Sequence, residues 1–186
     1  MTKARDLANG GFGLVLIKPS SVVNGTDNGK GTVSFSGASS VSLNDVFNTN
    51  YSHYRIIMDG TCTGNATLYF RYRASGSDNT DNNNYSVAYE RANYGDGGEN
   101  SGPTTYSVVG LWFIYQNFTT IDVANPFLAK QKITNHQNFV VAGSAGNRAF
   151  RIGGATKDST TSFTGFTIYP STGTLTGTIS VYGLNK

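Results

Sequence analysis

His53, His136, Glu90, Glu99, nine aspartates and the single Cys62 are the side chains that could do acid–base, nucleophilic or metal chemistry in this chain. Histidine carries most general acid–base work. His53 (NYSHYRI) stands just ahead of a strand-like run and His136 (TNHQN) in a turn-like one. A serine nucleophile needs one of them, an orienting acid and an oxyanion hole, and the chain has no G-x-S-x-G elbow. Paired carboxylates cleave glycosidic bonds when held at a fixed separation. Asp96 and Glu99 share a loop that fixes none, and Glu90 beside Arg91 reads as half of a cross-strand ion pair. Asp78-Asn79-Thr80-Asp81-Asn82 approaches a calcium loop but lacks its turn glycine and its closing acid, Tyr89 standing in that place. A lone cysteine makes neither an intrachain disulfide nor a multi-cysteine metal site. These residues specify no catalytic, cofactor or metal site, and the expectation is a protein that is not an enzyme.

The elements that would carry any site read as strands. Asn65–Ser75 alternates so that Leu68, Phe70 and Tyr72 face one way and Tyr69, Arg71 and Arg73 the other, the period of a pleated strand with one buried face. At the C-terminus Ile179, Val181 and Gly183 likewise oppose Ser180, Tyr182 and Leu184. Similar runs recur at 32–36, 41–47, 54–60, 85–91, 110–115, 119–124, 129–133, 139–143, 149–154 and 163–169. They are punctuated by NG, GG, NP and SG, and no stripe of helical period follows residue 10. This predicts an all-β fold, an antiparallel β-sandwich of jelly-roll-like order, with a core that includes Leu68, Phe70, Trp112, Phe113, Phe166, Ile168 and Val181.

Residues 1–31 read as an extended N-terminal arm on a sandwich domain of residues 32–186. Thr2–Ala8 has helix chemistry stopped by Asn9-Gly10-Gly11, too short to stand alone in water. Gly13–Lys18 follows as an extended run. The polar stretches 76–84 and 95–105 read as long surface loops.

Of 186 residues only 13% are charged, and the net charge is +3. Solubility therefore rests on Ser, Thr, Asn and Gly, and no clustered basic stripe marks a nucleic-acid partner. FGLVLI is shorter than a signal core and far short of a membrane span, so neither secretion nor membrane insertion is expected. Aromatics make up 12% of the chain. Tyr85, Tyr89, Tyr94 and Tyr106 stand in or beside the long loops, where tyrosine offers rigid contact area at low entropic cost.

Three segments carry a resemblance: TKARDLAN at the start, YRIIMDG followed by ATLYFRYRASG, and the terminal TGTISVYGLNK. With these the chain resembles β-sandwich proteins and modules on the particles of tailed bacteriophages, especially of the cyanophage type. The resemblance covers most of residues 32–186 and the short N-terminal signature, and it transfers no catalytic residue. It implies a non-enzymatic virion structural protein, made in the host cytoplasm and assembled as a homotrimer against major capsid or tail proteins. Two placements are open. A capsid decoration or cement protein would dock its arm through Lys3, Arg5, Leu7, Phe12, Leu14 and Leu16. A tail fibre or tail-tip adhesin would present its loops to a receptor, with a host-surface glycan as candidate ligand. The absence of coiled-coil heptads or a repetitive shaft favours decoration.

Overall fold

The alternation along the chain is realised as sixteen strands among the described residues. In chain order they are β1 (Leu14–Ile17), β2 (Ser21–Val23), β3 (Thr26–Asp27), β4 (Thr32–Ala38), β5 (Val41–Asn44), β6 (His53–Cys62), β7 (Ala66–Ala74) and β8 (Ser77–Asp78). There follow β9 (Tyr85–Ala92), β10 (Glu99–Thr104), β11 (Ser107–Trp112), β12 (Asn117–Ala124), β13 (Lys132–Ala142), β14 (Asn147–Lys157), β15 (Gly165–Pro170) and β16 (Leu175–Leu184). The computed structural model describes residues 13–81, 85–92, 99–142 and 147–184, with the backbone alone for 85–92, 99–104, 142 and 147–148.

The strands form two antiparallel sheets packed face to face, a jelly-roll-like sandwich. The large sheet runs β10-β9-β14-β13-β12-β6-β16-β4-β3, with β1 pairing the end of β16 beyond β4. The small sheet runs β11-β7-β15-β5-β2, with β8 folded back on β7. Alternate residues of facing strands fill the space between, as period-two strands require. Leu68, Phe70, Ile168 and Val181, expected inside, are fully buried. Phe70 stacks on Phe166 with ring centroids 5.3 Å apart, and Tyr72 on Phe163 at 4.9 Å. Tyr54 is buried among them and turns its hydroxyl to donate to Asn48 O at 2.8 Å. Cys62 is a buried core residue.

Four expectations are corrected. The described part of the expected arm is stitched into both sheets: β1 pairs β16, β2 pairs β5 and β3 pairs β4, with Ile17 buried in the core and Val22 packed against it. The TNHQN turn is the middle of an eleven-residue strand, β13, which joins the two runs expected at 129–133 and 139–143. Half of the expected loop at 95–105 is strand β10, paired to β9. Phe113 is only half-buried, since the chain leaves the sheet after Trp112 and turns through Ile114 and Tyr115, both exposed. The helical reading of residues 2–8 lies outside the described residues.

The correction in β13 has a physical cause. The large sheet is wider than the small one and curls over the free edge of β11, which packs against β13 and β14. That edge would leave backbone groups dry and unpaired. Asn138 on the inner face of β13 accepts from Leu111 N at 2.9 Å and donates to Thr119 Oγ1 at 2.9 Å. Thr119 in turn receives the Trp112 indole N–H at 2.9 Å. A Cβ at Gly110 would lie 2.9 Å from Asn138 Cγ, so glycine is what lets the two strands approach. The inward parity of TNHQN (Thr134, His136 and Asn138) is thus polar, and Asn138 closes a sheet edge with its side chain.

Further along this seam His136 is 1% exposed, and neither ring nitrogen has a hydrogen-bond partner among the described residues. Burial first, and the positive charge of Arg151 second, push its pKa down to about 4. The unfolded chain takes up that proton near the ordinary value of about 6.5. The neutral ring's contribution is therefore complete above pH 6.5 and lost as pH falls towards 4. Between those values the fold should lose on the order of 3 kcal/mol from this group, a shift of two to three units at about 1.4 kcal/mol each. Urea midpoints measured from pH 7 to pH 4 should fall less steeply in His136→Asn than in the parent chain. Equal slopes would show that the ring does not titrate in this way.

Candidate functional site

The outward parity of the large sheet's central strands builds a face that is neither core nor ordinary polar surface. In β12, burying Ile121 and Val123 forces Phe118, Thr120, Asp122 and Ala124 outward. In β13 the same logic, with His136, Asn138 and Val140 inside, turns Ile133, Asn135, Gln137 and Phe139 out. Register then aligns them. Phe118 pairs with Phe139 and Phe139 with Phe150, so three phenylalanines stand abreast on β12, β13 and β14. They are 47%, 44% and 38% exposed, with Ile152 beside them at 38%. Burying such side chains is worth about 1.5–3 kcal/mol each. A contiguous row left in water is the kind of surface that marks an interaction site.

Two residues along the same strands lie Ile57, Thr120 and Gln137, and two further on an ion pair. Arg55 of β6 donates from Nε to Asp122 Oδ1 at 2.7 Å and from Nη2 to Oδ2 at 2.8 Å, a bidentate pair between register partners. The hydrogen bonds from Arg55 to Asp122, and then that carboxylate's charge, raise the guanidinium pKa further. The pair floors a groove of about 290 Å3 whose rim includes His53, Ile133, Asn135 and Leu184. A larger hollow, about 530 Å3, runs along the β3–β4 edge and is lined by Asn24, Thr26, Phe35 and a series of serines and glycines. It holds no ionisable side chain, and Asn24 Nδ2 reaches across to Ser40 Oγ at 3.4 Å.

Of the residues expected to make contacts, Leu14 and Leu16 join this outer face. They pair with Leu184 and Tyr182 and are 45% and 37% exposed. Lys3, Arg5, Leu7, Phe12 and Tyr94 lie outside the described residues. Tyr85 and Tyr89 lie in β9, as the strand expected at 85–91 places them, in register with Lys157 and Gly153. Tyr106 lies in the bend before β11 and packs on the small sheet, half-buried, its ring centroid 4.1 Å from that of Tyr69. Asp78, the first acid of the calcium-like stretch, is taken by Arg73 and accepts from Thr167 Oγ1 at 2.6 Å. His53 sits on the groove rim, apart from the buried His136. Among the described residues no group of three or more His, Cys, Asp or Glu is placed to hold a metal ion.

The phenylalanine row and the Arg55–Asp122 pair were missed in the sequence. The available signal was parity: a phenylalanine out of step with Ile121 and Val123 on its own strand.

No family model matches the sequence, and no curated protein matches it. Among solved structures the chain is similar to the SPRY domain of human HERC1, at 10% identity over 92% of this chain and 98% of that one, with a TM-score of 0.28. It is also similar to CsCBM6-3 from Clostridium stercorarium in complex with cellobiose, at 12% identity over 94% of each chain, with a TM-score of 0.31. A third is the carbohydrate-binding module CBM6cm-2 from Cellvibrio mixtus lichenase 5A in complex with cellotriose, at 13% identity, 92% and 96% coverage and a TM-score of 0.29. Likeness at this level leaves function to the geometry of the chain itself.

Proposed function

We propose that this chain is a non-enzymatic surface protein of a tailed-bacteriophage particle and that it works by adhesion through the outer face of its large sheet. The observation that carries the reading is the exposed Phe118–Phe139–Phe150 row beside a polar groove, on strands whose other faces are fully committed to the core. The virion placement is supported by the resemblance of TKARDLAN, YRIIMDG, ATLYFRYRASG and TGTISVYGLNK to phage particle proteins. Of the two placements, a tail adhesin suits this face better, because the groove offers a ligand both apolar walls and hydrogen-bonding groups. A capsid decoration protein is the second reading, and the exposure of Leu14 and Leu16 at the outer-face edge favours it. In either place a homotrimer is the expected assembly, to be measured by sedimentation of the purified chain.

Antibody against the sandwich, imaged on intact virions, should label the tail. Label spread over the icosahedral shell would replace adhesion by decoration, and particles without label would remove the virion reading altogether.

A further inference from the structure

Resting on that adhesive reading of the same face, we infer that its ligand is a neutral glycan chain, laid along β12 from the phenylalanine row to the Arg55–Asp122 groove. The face argues against two common classes of ligand. The row and the groove lie on internal strands whose backbones are paired on both sides, so an extended peptide finds no open edge to add to. Recognition must come from side chains alone.

Charge narrows the class further. Across the four register rows from β16 to β14, the described ionisable side chains are Asp59, His53, Tyr182 and the Arg55–Asp122 pair. The pair cancels itself, Asp59 already accepts from Thr178, and no lysine stands among them. Among these described side chains a phosphate, sulfate or polyuronate chain would meet one carboxylate and no unpaired lysine or arginine. An uncharged polymer meets no penalty.

The chemistry that is present matches a sugar. A pyranose offers an apolar C–H face, for which open phenyl rings are the partner, and a rim of vicinal hydroxyls. Asp122 and Arg55 together offer acceptors and donors in one plane, with Asn135 beside them in the same row and Gln137 and Thr120 between them and the rings. Dimensions set the length. Phe118 and Asp122 are four residues apart on one strand, about 13 Å, and three rings on adjacent strands span about 10 Å. That is the footprint of an extended oligomer, not of one monosaccharide.

The test is affinity electrophoresis of the purified chain through gels containing mannan, galactan, xylan, dextran or dextran sulfate. Retardation by at least one neutral polysaccharide is expected. Phe139→Ala and Asp122→Asn should each weaken it at least tenfold while keeping the parent circular dichroism spectrum and melting temperature. Arg55→Lys, which keeps the charge but loses the planar fork, should weaken it several-fold. Retardation by none of the neutral polymers, retardation by dextran sulfate alone, or unchanged binding by folded Phe139→Ala overturns the inference. A second arm separates this from the adhesive reading. Fluorescent protein bound to host cells should be lost after periodate oxidation of surface sugars and kept after protease. The reverse pattern leaves adhesion standing and removes the glycan, whereas no cell binding at all removes the adhesive reading itself.

Discussion

Replacing Gly177 by alanine should destabilise the fold by about 3–5 kcal/mol, at the upper end of what single substitutions do. Gly177 of β16 is in register with Gly60 of β6, beside the point where the pairing of β16 with β4 shifts. A Cβ at 177 would lie 2.1 Å from Asp59 O and 2.8 Å from Gly60 Cα. A Cβ at 60 would lie 2.2 Å from Thr176 O, and Gly60 also holds φ at +152°, a conformation side chains rarely adopt. These neighbours are backbone, so no side chain can swing aside. The strands must separate, and with them the ladder that joins the two halves of the large sheet. For a chain of this size the melting temperature should fall by roughly 10 °C or more. Gly64→Ala is the control: nothing lies within 4 Å of its Cβ, and its loss should stay within about 0.5 kcal/mol. Similar melts for Gly177→Ala and the parent chain would mean that the two strands do not approach this closely.

A loss of similar size is expected when Arg73 is replaced by methionine. Arg73 is 9% exposed and ties β7 to its neighbours. Nε donates to Asn44 Oδ1 at 3.1 Å, and Nη1 donates to Ser42 Oγ at 3.2 Å and to Thr167 Oγ1 at 3.0 Å. Its other contacts are Asp78 and the carbonyl of Gly76 in the β7–β8 hairpin. Removing one partner of such a pair costs about 3–5 kcal/mol, because the remaining charge and hydroxyls are stranded. Replacing Asp78 by asparagine in the same chain removes the stranded carboxylate and should recover part of the loss. Urea unfolding of the two single variants and the double variant gives the coupling. Additive losses would show that the two residues act independently.

Legibility in the sequence followed the core. Leu68, Phe70 and Tyr72, like Ile179 and Val181, were readable because one parity is apolar and the other polar, so the alternation itself declares the buried face. β13 was unreadable at its centre because both parities of Thr134–Asn138 are polar. One parity meets solvent and the other meets the raw edge of β11, and only the finished sheet distinguishes them. β10 was hidden by Gly102 and Pro103, which punctuate loops more often than strands. The outer face was illegible for another reason. Phe118, Phe139 and Phe150 are far apart in the chain, and their alignment depends on the register of three strands, which composition and spacing along one strand do not encode.

That same alternation has a consequence for how the protein can change. Positions 118, 120 and 122 share a strand with 119, 121 and 123, yet mutation at the first set reaches no core contact of the second. Drift or selection could rewrite the outer surface of β12, β13 and β14 residue by residue, with the folding problem solved once and left untouched. Lineages of this chain should therefore diverge fastest at the outward positions, while the inward asparagine, threonine and glycine that close the β11 edge stay fixed.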